Sequence, residues 1–366
     1  MTQLLRAFTG FHLHTMKLLI LTQKIDQNDD VLGFMHGWIA EFAKHCEQVT
    51  AIGLSVGAHD LPKNVRVFSL GKESGASRLK YVWNFYQLIF RERKNYDAVF
   101  VHMNPEYVIL GGIPWKIMGK KIGLWYTHKQ VDWHLRLATH GADVIFTASP
   151  ESFRLETPKC QVVGHGIDTG RFGSIKRFSD GIFRILSIGR LSRSKGYGTL
   201  FRACEILKNE NSFIEVRIVG APITEDDRVY VGELSSEIMR QGLEKKVLLV
   251  GAAPNQEIES HLATADLFVN MSTTGSLDKA VLEAMAAGVP VLTSNEGLRS
   301  TLAEFERTCM FKEGDEKDFA EHIRTFVAMS EEERRKLGRQ LRDLVEQKHN
   351  LRTLIPRIVD GLTRTL

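Results

Sequence analysis

No stretch of about 18 apolar residues occurs anywhere in the 366-residue chain, so the sequence offers no helix able to span a bilayer. Cysteine is sparse: Cys46, Cys160, Cys204 and Cys309 stand far apart, with no CxxC pair. That spacing argues against a disulfide framework or a cysteine metal site, and a reducing cytoplasm is the expectation. Charge of one sign is also lacking. Lys and Arg total 48 against 44 Asp and Glu, a net +4, too small an excess to point to nucleic acid. No short-period repeat or low-complexity tract is found. Residues 1–15 are too weakly hydrophobic for a signal peptide and read as a flexible N-terminal extension, with the fold starting at Met16.

What is present is an ordinary globular composition, 43% hydrophobic and 25% charged, in a length that suits two domains of about 150–200 residues. Short apolar runs alternate with amphipathic segments. Leu18–Thr22, Val49–Leu54, Val65–Leu70, Ala98–Met103, Ile122–Tyr126 and Val144–Thr147 read as strands, with helices over Phe34–Lys44, Leu79–Arg93 and Val131–His140. After a polar, glycine-bearing segment the alternation restarts. Phe183–Ile188, Ile214–Val219, Val247–Val250, Leu267–Asn270 and Val289–Thr293 are strands, with helices over Thr199–Lys208 and Lys279–Ala287. Apolar runs separated by helices imply parallel sheets in βαβ units. The expected fold is α/β, two Rossmann-like domains over residues 16–175 and 176–345. A terminal helix over 346–366 is expected to pack back on the first domain.

In open parallel sheets ligands bind beyond the carboxyl ends of strands, so the loops there matter most. Gly189-Arg190-Leu191-Ser192-Arg193-Ser194-Lys195-Gly196 follows one strand directly. Gly189 permits a turn, Arg190 offers a planar fork of donors, and Lys195 adds a compact charge before the next helix start. Together they form a candidate diphosphate clamp; a solvated basic loop is the plain alternative. A second loop, Ser272 to Lys279, opens a helix. Ser276 is a candidate cap, Asp278 suits the helix dipole, and the loop amides could cradle an anion. Glu283 sits one turn after Lys279 among small and apolar residues. It requires a polar partner: a ribose, or Lys279 itself.

These loops resemble glycosyltransferase family 4, retaining enzymes of the GT-B fold. GRLSRSKG is similar to that family's diphosphate-binding signature, LEAMAAGVPVLTSNEG to its ribose-binding glutamate motif, and VVGHGIDTGRF to its junction motif, with His165 in place of Asn. The resemblance runs from about Met16 to the C-terminus. It implies that Arg190 and Lys195 bind the donor diphosphate and Glu283 the ribose. Gly251 would shape the base pocket, Gly33 would belong to a glycine-rich loop near the diphosphate, and His128 would face the sugar. One departure stands out. The family often carries a first glutamate at the position of Gly275, followed by a glycine-rich turn that becomes Ser276-Leu277-Asp278-Lys279 here. The sugar half of the site is therefore altered.

Asp26, Asp29, His102 and Asp132 lie at first-domain strand ends and suit a polyhydroxylated acceptor, although helix capping and packing would explain such residues equally. On the helix Leu79–Arg93, Leu79, Val82, Trp83, Tyr86, Ile89 and Phe90 fall at helical spacing among Arg78, Lys80, Arg91, Arg93 and Lys94. An ordinary core-facing helix is one reading; a basic face on an anionic lipid surface is the other. The resemblance implies a metal-independent transfer of a sugar from a nucleotide-diphosphate sugar to a glycan or lipid-linked acceptor, with no further cofactor and no nucleic acid partner. Two alternatives stay open: a catalytically impaired nucleotide-binding partner subunit, suggested by Gly275, and a nucleotide-sugar epimerase.

Overall fold

The computed structural model describes residues 14–364 apart from 30, 179, 211–213, 255 and 256. The extension expected over residues 1–15 lies, up to residue 13, outside the described residues; His14 already opens a strand.

The first sheet contains β1 (His14–Ile25), β2 (Cys46–Val56), β3 (Val65–Ser69), β4 (Ala98–His102), β5 (Lys121–Trp125), β6 (Val144–Thr147) and β7 (Cys160–Val162). Between them run α1 (Phe34–His45), α2 (Arg78–Arg91), α3 (Pro105–Ile117) and α4 (Trp133–Gly141). After the short helix α5 (Thr169–Gly173) a second sheet begins with β8 (Phe183–Ile188), β9 (Ile214–Val219), β10 (Val247–Gly251), β11 (Leu267–Asn270) and β12 (Val291–Thr293). Its helices are α6 (Tyr197–Leu207), α7 (Glu225–Arg240), α8 (Ile258–Thr264), α9 (Lys279–Ala286), α10 (Glu306–Cys309) and α11 (Glu316–Ala328). The chain closes with α12 (Glu331–Lys348) and α13 (Leu351–Thr363).

Both sheets are parallel and doubly wound, in the orders β3-β2-β1-β4-β5-β6-β7 and β10-β9-β8-β11-β12. The period of two along β1 explains the layering. Leu18 and Ile20 face the core under α1, while Leu19 and Leu21 face the core under α2–α4, all four without exposed surface. The strand order reverses between β1 and β4 and between β8 and β11. At such a switch point the connections leave in opposite directions and open a crevice at the carboxyl edge. In the second domain that crevice lies between the Gly189–Gly196 loop and the Met271–Asp278 loop, the two segments the sequence singles out.

The chain crosses between the domains twice. The Gly164–Ile167 segment meets the turn between α12 and α13, where the Ile167 amide donates to the His349 carbonyl (2.6 Å) and the Leu351 amide to the Ile167 carbonyl (2.9 Å). From there α13 packs on α1, β5 and β6 of the first sheet. Gly361 lets it do so, because a methyl group there would stand 2.8 Å from the Phe146 ring.

Two local readings differ from expectation. The edge strand β7 has only three residues, two of them exposed, and leaves no apolar run to recognise. On α2 the buried residues are Phe85, Leu88 and Ile89, whereas Leu79, Trp83 and Phe90 are exposed. The helix thus carries two apolar faces, and the expected stripe is largely the outer one.

Candidate functional site

The loop after β8 turns at Gly189, with φ at 156°, and ends at Gly196, whose left-handed φ of 67° starts α6. A side chain at Gly196 would collide with the Met271 carbonyl, whose oxygen would stand 2.5 Å from the added Cβ. No side chain caps α6, so its first N–H groups remain available to an anion beside Lys195.

The Lys195 ammonium is ion-paired to Asp278. Asp278 also accepts from the Asn270 amide (3.0 Å) and, as the N-cap of α9, from the Ala280 N–H (3.3 Å). Asp278 therefore fills the capping role expected of Ser276, whose hydroxyl instead accepts from the Lys129 N–H. Burial raises the Asp278 pKa, but the Lys195 charge and these donors outweigh it and hold the carboxyl below its usual range. Leu277 is buried behind this loop. Lys279 pairs with the buried Glu283 one turn along α9, as the spacing suggested, and its ammonium lies 5.1 Å from the centre of the Phe34 ring in the first domain.

Arg190 is drawn aside. Its Nε donates to Asp227 (2.7 Å) and an Nη donates to the Thr224 hydroxyl (3.2 Å), the two side chains of the α7 capping box. Burial pushes the Asp227 pKa up, but the Thr224 and Ile223 amides and the Arg190 guanidinium drive it far below the ordinary value. Gly251 ends β10 with φ at 91° and open space where a side chain would stand.

The first domain meets these loops across a cleft. A cavity of about 310 Å³ lies between Gly33, Phe34 and Trp38 on one wall and Lys279 and Glu283 on the other. Gly33 has no room for a side chain: the Asp29 carbonyl would be 2.5 Å from its Cβ. Lys129, which carries no motif in the sequence, ties the walls together. Its N–H donates to the Ser276 hydroxyl (3.3 Å) and its ammonium to the Thr273 carbonyl (3.1 Å). Gly275 has a left-handed φ of 61°, and a Cβ there would lie 3.2 Å from the Lys129 Cδ and 3.6 Å from an Arg154 nitrogen. The position that is often a glutamate in the resembled family is thus bordered by two cations. No local pattern announces Lys129; its contacts span more than 140 residues.

His128 lies beside Lys129 at the end of β5 and is exposed. Its Nδ1 accepts from the Gln130 N–H (3.1 Å), which leaves Nε2 as the ring nitrogen free to meet a ligand. The acceptor-side candidates behave differently. Asp132 caps α4, accepting from the Leu135 N–H (2.8 Å). Asp29 accepts from the Val31 and Leu32 amides and pairs with Lys24 at 2.6 Å. Asp26 accepts from the Asn28 amide (3.1 Å). His102 is 4% exposed and is packed edge-on against Phe34 and Trp38. Burial, with His165 nearby, lowers its pKa to about 3. At the end of β4, Met103 adopts a positive φ of 64°, a strained conformation of the kind that collects near functional sites.

All four thiols are raised by burial, Cys160 to about 11 and the others to about 12, which disfavours thiolate chemistry. Among the described residues no cluster of three or more His, Cys, Asp or Glu side chains could hold a metal ion, and no helix is long and apolar enough to cross a membrane.

Two parallel Rossmann-like sheets facing across a cleft define the GT-B architecture. Residues 174–343 match the family Glycosyl transferases group 1. An amylovoran biosynthesis glycosyltransferase, AmsK, from Erwinia amylovora is 34% identical over 144 residues, 37% of this chain and 34% of the relative. An N-acetylgalactosamine-N,N'-diacetylbacillosaminyl-diphospho-undecaprenol 4-alpha-N-acetylgalactosaminyltransferase from Campylobacter jejuni is 25% identical over 182 residues, 48% of this chain and 47% of the relative. The matched segments thus span less than half of these curated relatives. The crystal structure of Anabaena Alr3699/HepE in complex with UDP superposes with a TM-score of 0.77 at 20% identity, covering 95% of this chain and 100% of that one. At that identity the likeness shows the shared fold.

Proposed function

We propose that this protein is a glycosyltransferase of family 4 type that transfers a sugar, with retention, from a nucleotide-diphosphate sugar to a glycan or lipid-linked acceptor. The observation that carries the proposal is the convergence of the uncapped α6 N-terminus, Lys195, Asp278, Lys279 and Glu283 at the switch point of the domain matched by the glycosyltransferase family. In the resting protein these cations are paired to carboxylates. An incoming diphosphate would take Lys195 from Asp278, and the ribose hydroxyls would compete with Lys279 for Glu283. Positive charge fixed at the leaving diphosphate stabilises the transition state, a role that Lys195 and the helix dipole fill here without a metal. Arg190 contributes its charge from the α7 side while held by Asp227. His128 would face the sugar. UDP in the structure of Alr3699/HepE supports uridine as the first base to test.

The acceptor side is proposed to approach from a membrane surface. The layer of α2, α3 and α4 leaves Leu79, Trp83, Phe90, Ile113, Ile117 and Trp133 exposed, with Arg78, Lys80, Arg93, Lys94 and Lys116 also exposed on or beside α2 and α3. Apolar side chains ringed by cations suit a monotopic contact with anionic lipid, which would place the protein on the inner leaflet in the cytoplasm. The diphospho-undecaprenol in the name of the Campylobacter relative is in keeping with that.

The test is a panel of nucleotide sugars incubated with and without polyprenyl-diphosphate-linked glycan acceptors, followed by nucleotide release and by NMR of the product anomer. Acceptor-dependent release with retained configuration is expected. Nucleotide binding with no turnover on any donor would favour the non-catalytic partner subunit, and sugar isomerisation without acceptor would favour an epimerase.

A further inference from the structure

A second cavity, about 370 Å³, lies where the interdomain segment Ile175–Phe178 runs beneath α12. It opens beside Asp266 and Pro290, the residues just before β11 and β12. This is the amino edge of the second sheet, opposite the donor loops at its carboxyl edge. Its volume falls at the lower end of small-molecule pockets.

Six cations line it: Lys176, Arg177, Arg334, Arg335, Arg339 and Arg342. Only two carboxylates, Asp266 and Glu331, oppose them, so four positive charges are unbalanced in one concavity. Several of these guanidiniums are positioned by backbone carbonyls rather than by anions. Arg177 donates to the Gly288 carbonyl (3.1 Å) and to the Ala265 carbonyl. Arg342 donates to the Gly173 carbonyl (2.9 Å), and Arg334 donates to the carbonyls of Phe326 (3.3 Å) and Met329. Carbonyls fix geometry but leave the net charge in place. Arg335 pairs with Glu331 at 2.5 Å, and Arg334 is 3.8 Å from Asp266. Lys176 and Arg339 have no ion-pair or hydrogen-bond partner among the described residues. The Arg177 Nε is buried and also lacks an acceptor, an arrangement that costs free energy unless a ligand completes it. The crowding is felt electrostatically: burial and the neighbouring Arg335 and Arg334 charges lower the Arg177 pKa, with Asp266 opposing.

We infer that this arginine pocket is a binding site for a phosphorylated anion, separate from the donor cleft and formed jointly by the interdomain segment and α12. Five planar guanidiniums favour a tetrahedral, multiply charged oxyanion over a single carboxylate. The volume admits more than one phosphoryl group: it is on the order of ten water volumes. A ligand held by Lys176 and Arg177 on one side and by Arg335 and Arg339 on the other would tie the crossing segment to α12, and thereby raise the stability of the second domain.

Inorganic phosphate, pyrophosphate and tripolyphosphate titrated at constant ionic strength, followed by thermal shift and calorimetry, test the inference. The expected result is a saturable rise in Tm that strengthens with phosphate number and persists in Lys195→Ala. Affinity should fall at least tenfold in Arg335→Ala/Arg339→Ala and further in Arg339→Glu. Both exposed positions leave the core untouched, and circular dichroism would verify folding. Sedimentation with phosphatidylglycerol vesicles distinguishes the source: Arg339-dependent pelleting identifies a lipid phosphate, and its absence alongside pyrophosphate binding identifies a soluble one. Equal titrations in the wild type and the arginine variants would overturn the site, as would loss of all binding in Lys195→Ala.

Discussion

The two walls of the cleft are built from the same kind of parallel sheet, yet their polar residues are engaged in different ways. On the second-domain wall Lys195 pairs with Asp278 and Lys279 with Glu283, side chain to side chain. On the first-domain wall Asp26, Asp29 and Asp132 accept backbone N–H groups of their own turns, with Asp29 also paired to Lys24, and His102 is packed among aromatic rings. A pair of side chains can be re-partnered by a ligand at little cost to the fold. A carboxylate that caps a turn cannot leave without exposing backbone donors. On the proposed reading the Lys195 and Lys279 side chains change partners when a ligand binds, while the capping carboxylates of the first wall keep theirs.

The largest expected effect is at Lys195. Lys195→Ala should lower transfer at least tenfold and also lower the melting temperature, because it removes the charge that does most to hold the buried Asp278 carboxylate, while the Asn270 and Ala280 donors keep the loop folded; steady-state kinetics beside thermal unfolding would measure both. Arg190→Ala should lower transfer and also stability, since it strips a guanidinium from the buried Asp227; a variant that loses only activity would show that Arg190 swings free of the capping box.

Acid sharpens the comparison from the side of the buried histidines. His102 and His349 are held neutral with pKa values near 3, and His165 near 4, chiefly by burial. Their folded values lie below the ordinary 6.5, so the unfolded chain binds more protons. This stabilisation is complete above about pH 6.5 and is lost as the pH falls toward about 4 for His165 and about 3 for His102 and His349, by up to about 1.4 kcal/mol per pH unit for each histidine. Thermal melts at pH 7.5, 6 and 5 should show the decline, and His349→Asn should make it shallower. The smallest effect is expected at Asp132. Asp132→Ala should cost about 1 kcal/mol for the lost cap, with transfer within about twofold. A tenfold loss of transfer with stability intact would return Asp132 to the acceptor site.

The legibility of the sequence followed the same division. Leu18–Thr22 and Val144–Thr147 were readable because strands buried on both faces are near-continuous apolar runs. The Lys279–Glu283 pair was readable because both residues lie on one helix at i,i+4 spacing. The Lys195–Asp278 pair joins residues 83 apart, and nothing local signals it. The Thr224–Asp227 capping box carries a sequence signature, but its link to Arg190, 37 residues away, has none. The outer face of α2 was ambiguous for a different reason. Periodicity finds apolar stripes but does not say which of two stripes meets the sheet, and here Phe85 and Leu88 do, while Trp83 faces out.

Calorimetric titration of UDP into the wild type, Lys195→Ala, Glu283→Ala and Asp132→Ala addresses the central claim most directly. The account predicts binding to the wild type and Asp132→Ala with equal affinity, and at least tenfold weaker binding to the other two. Equal affinity across all four proteins, or loss confined to Asp132→Ala, would contradict it.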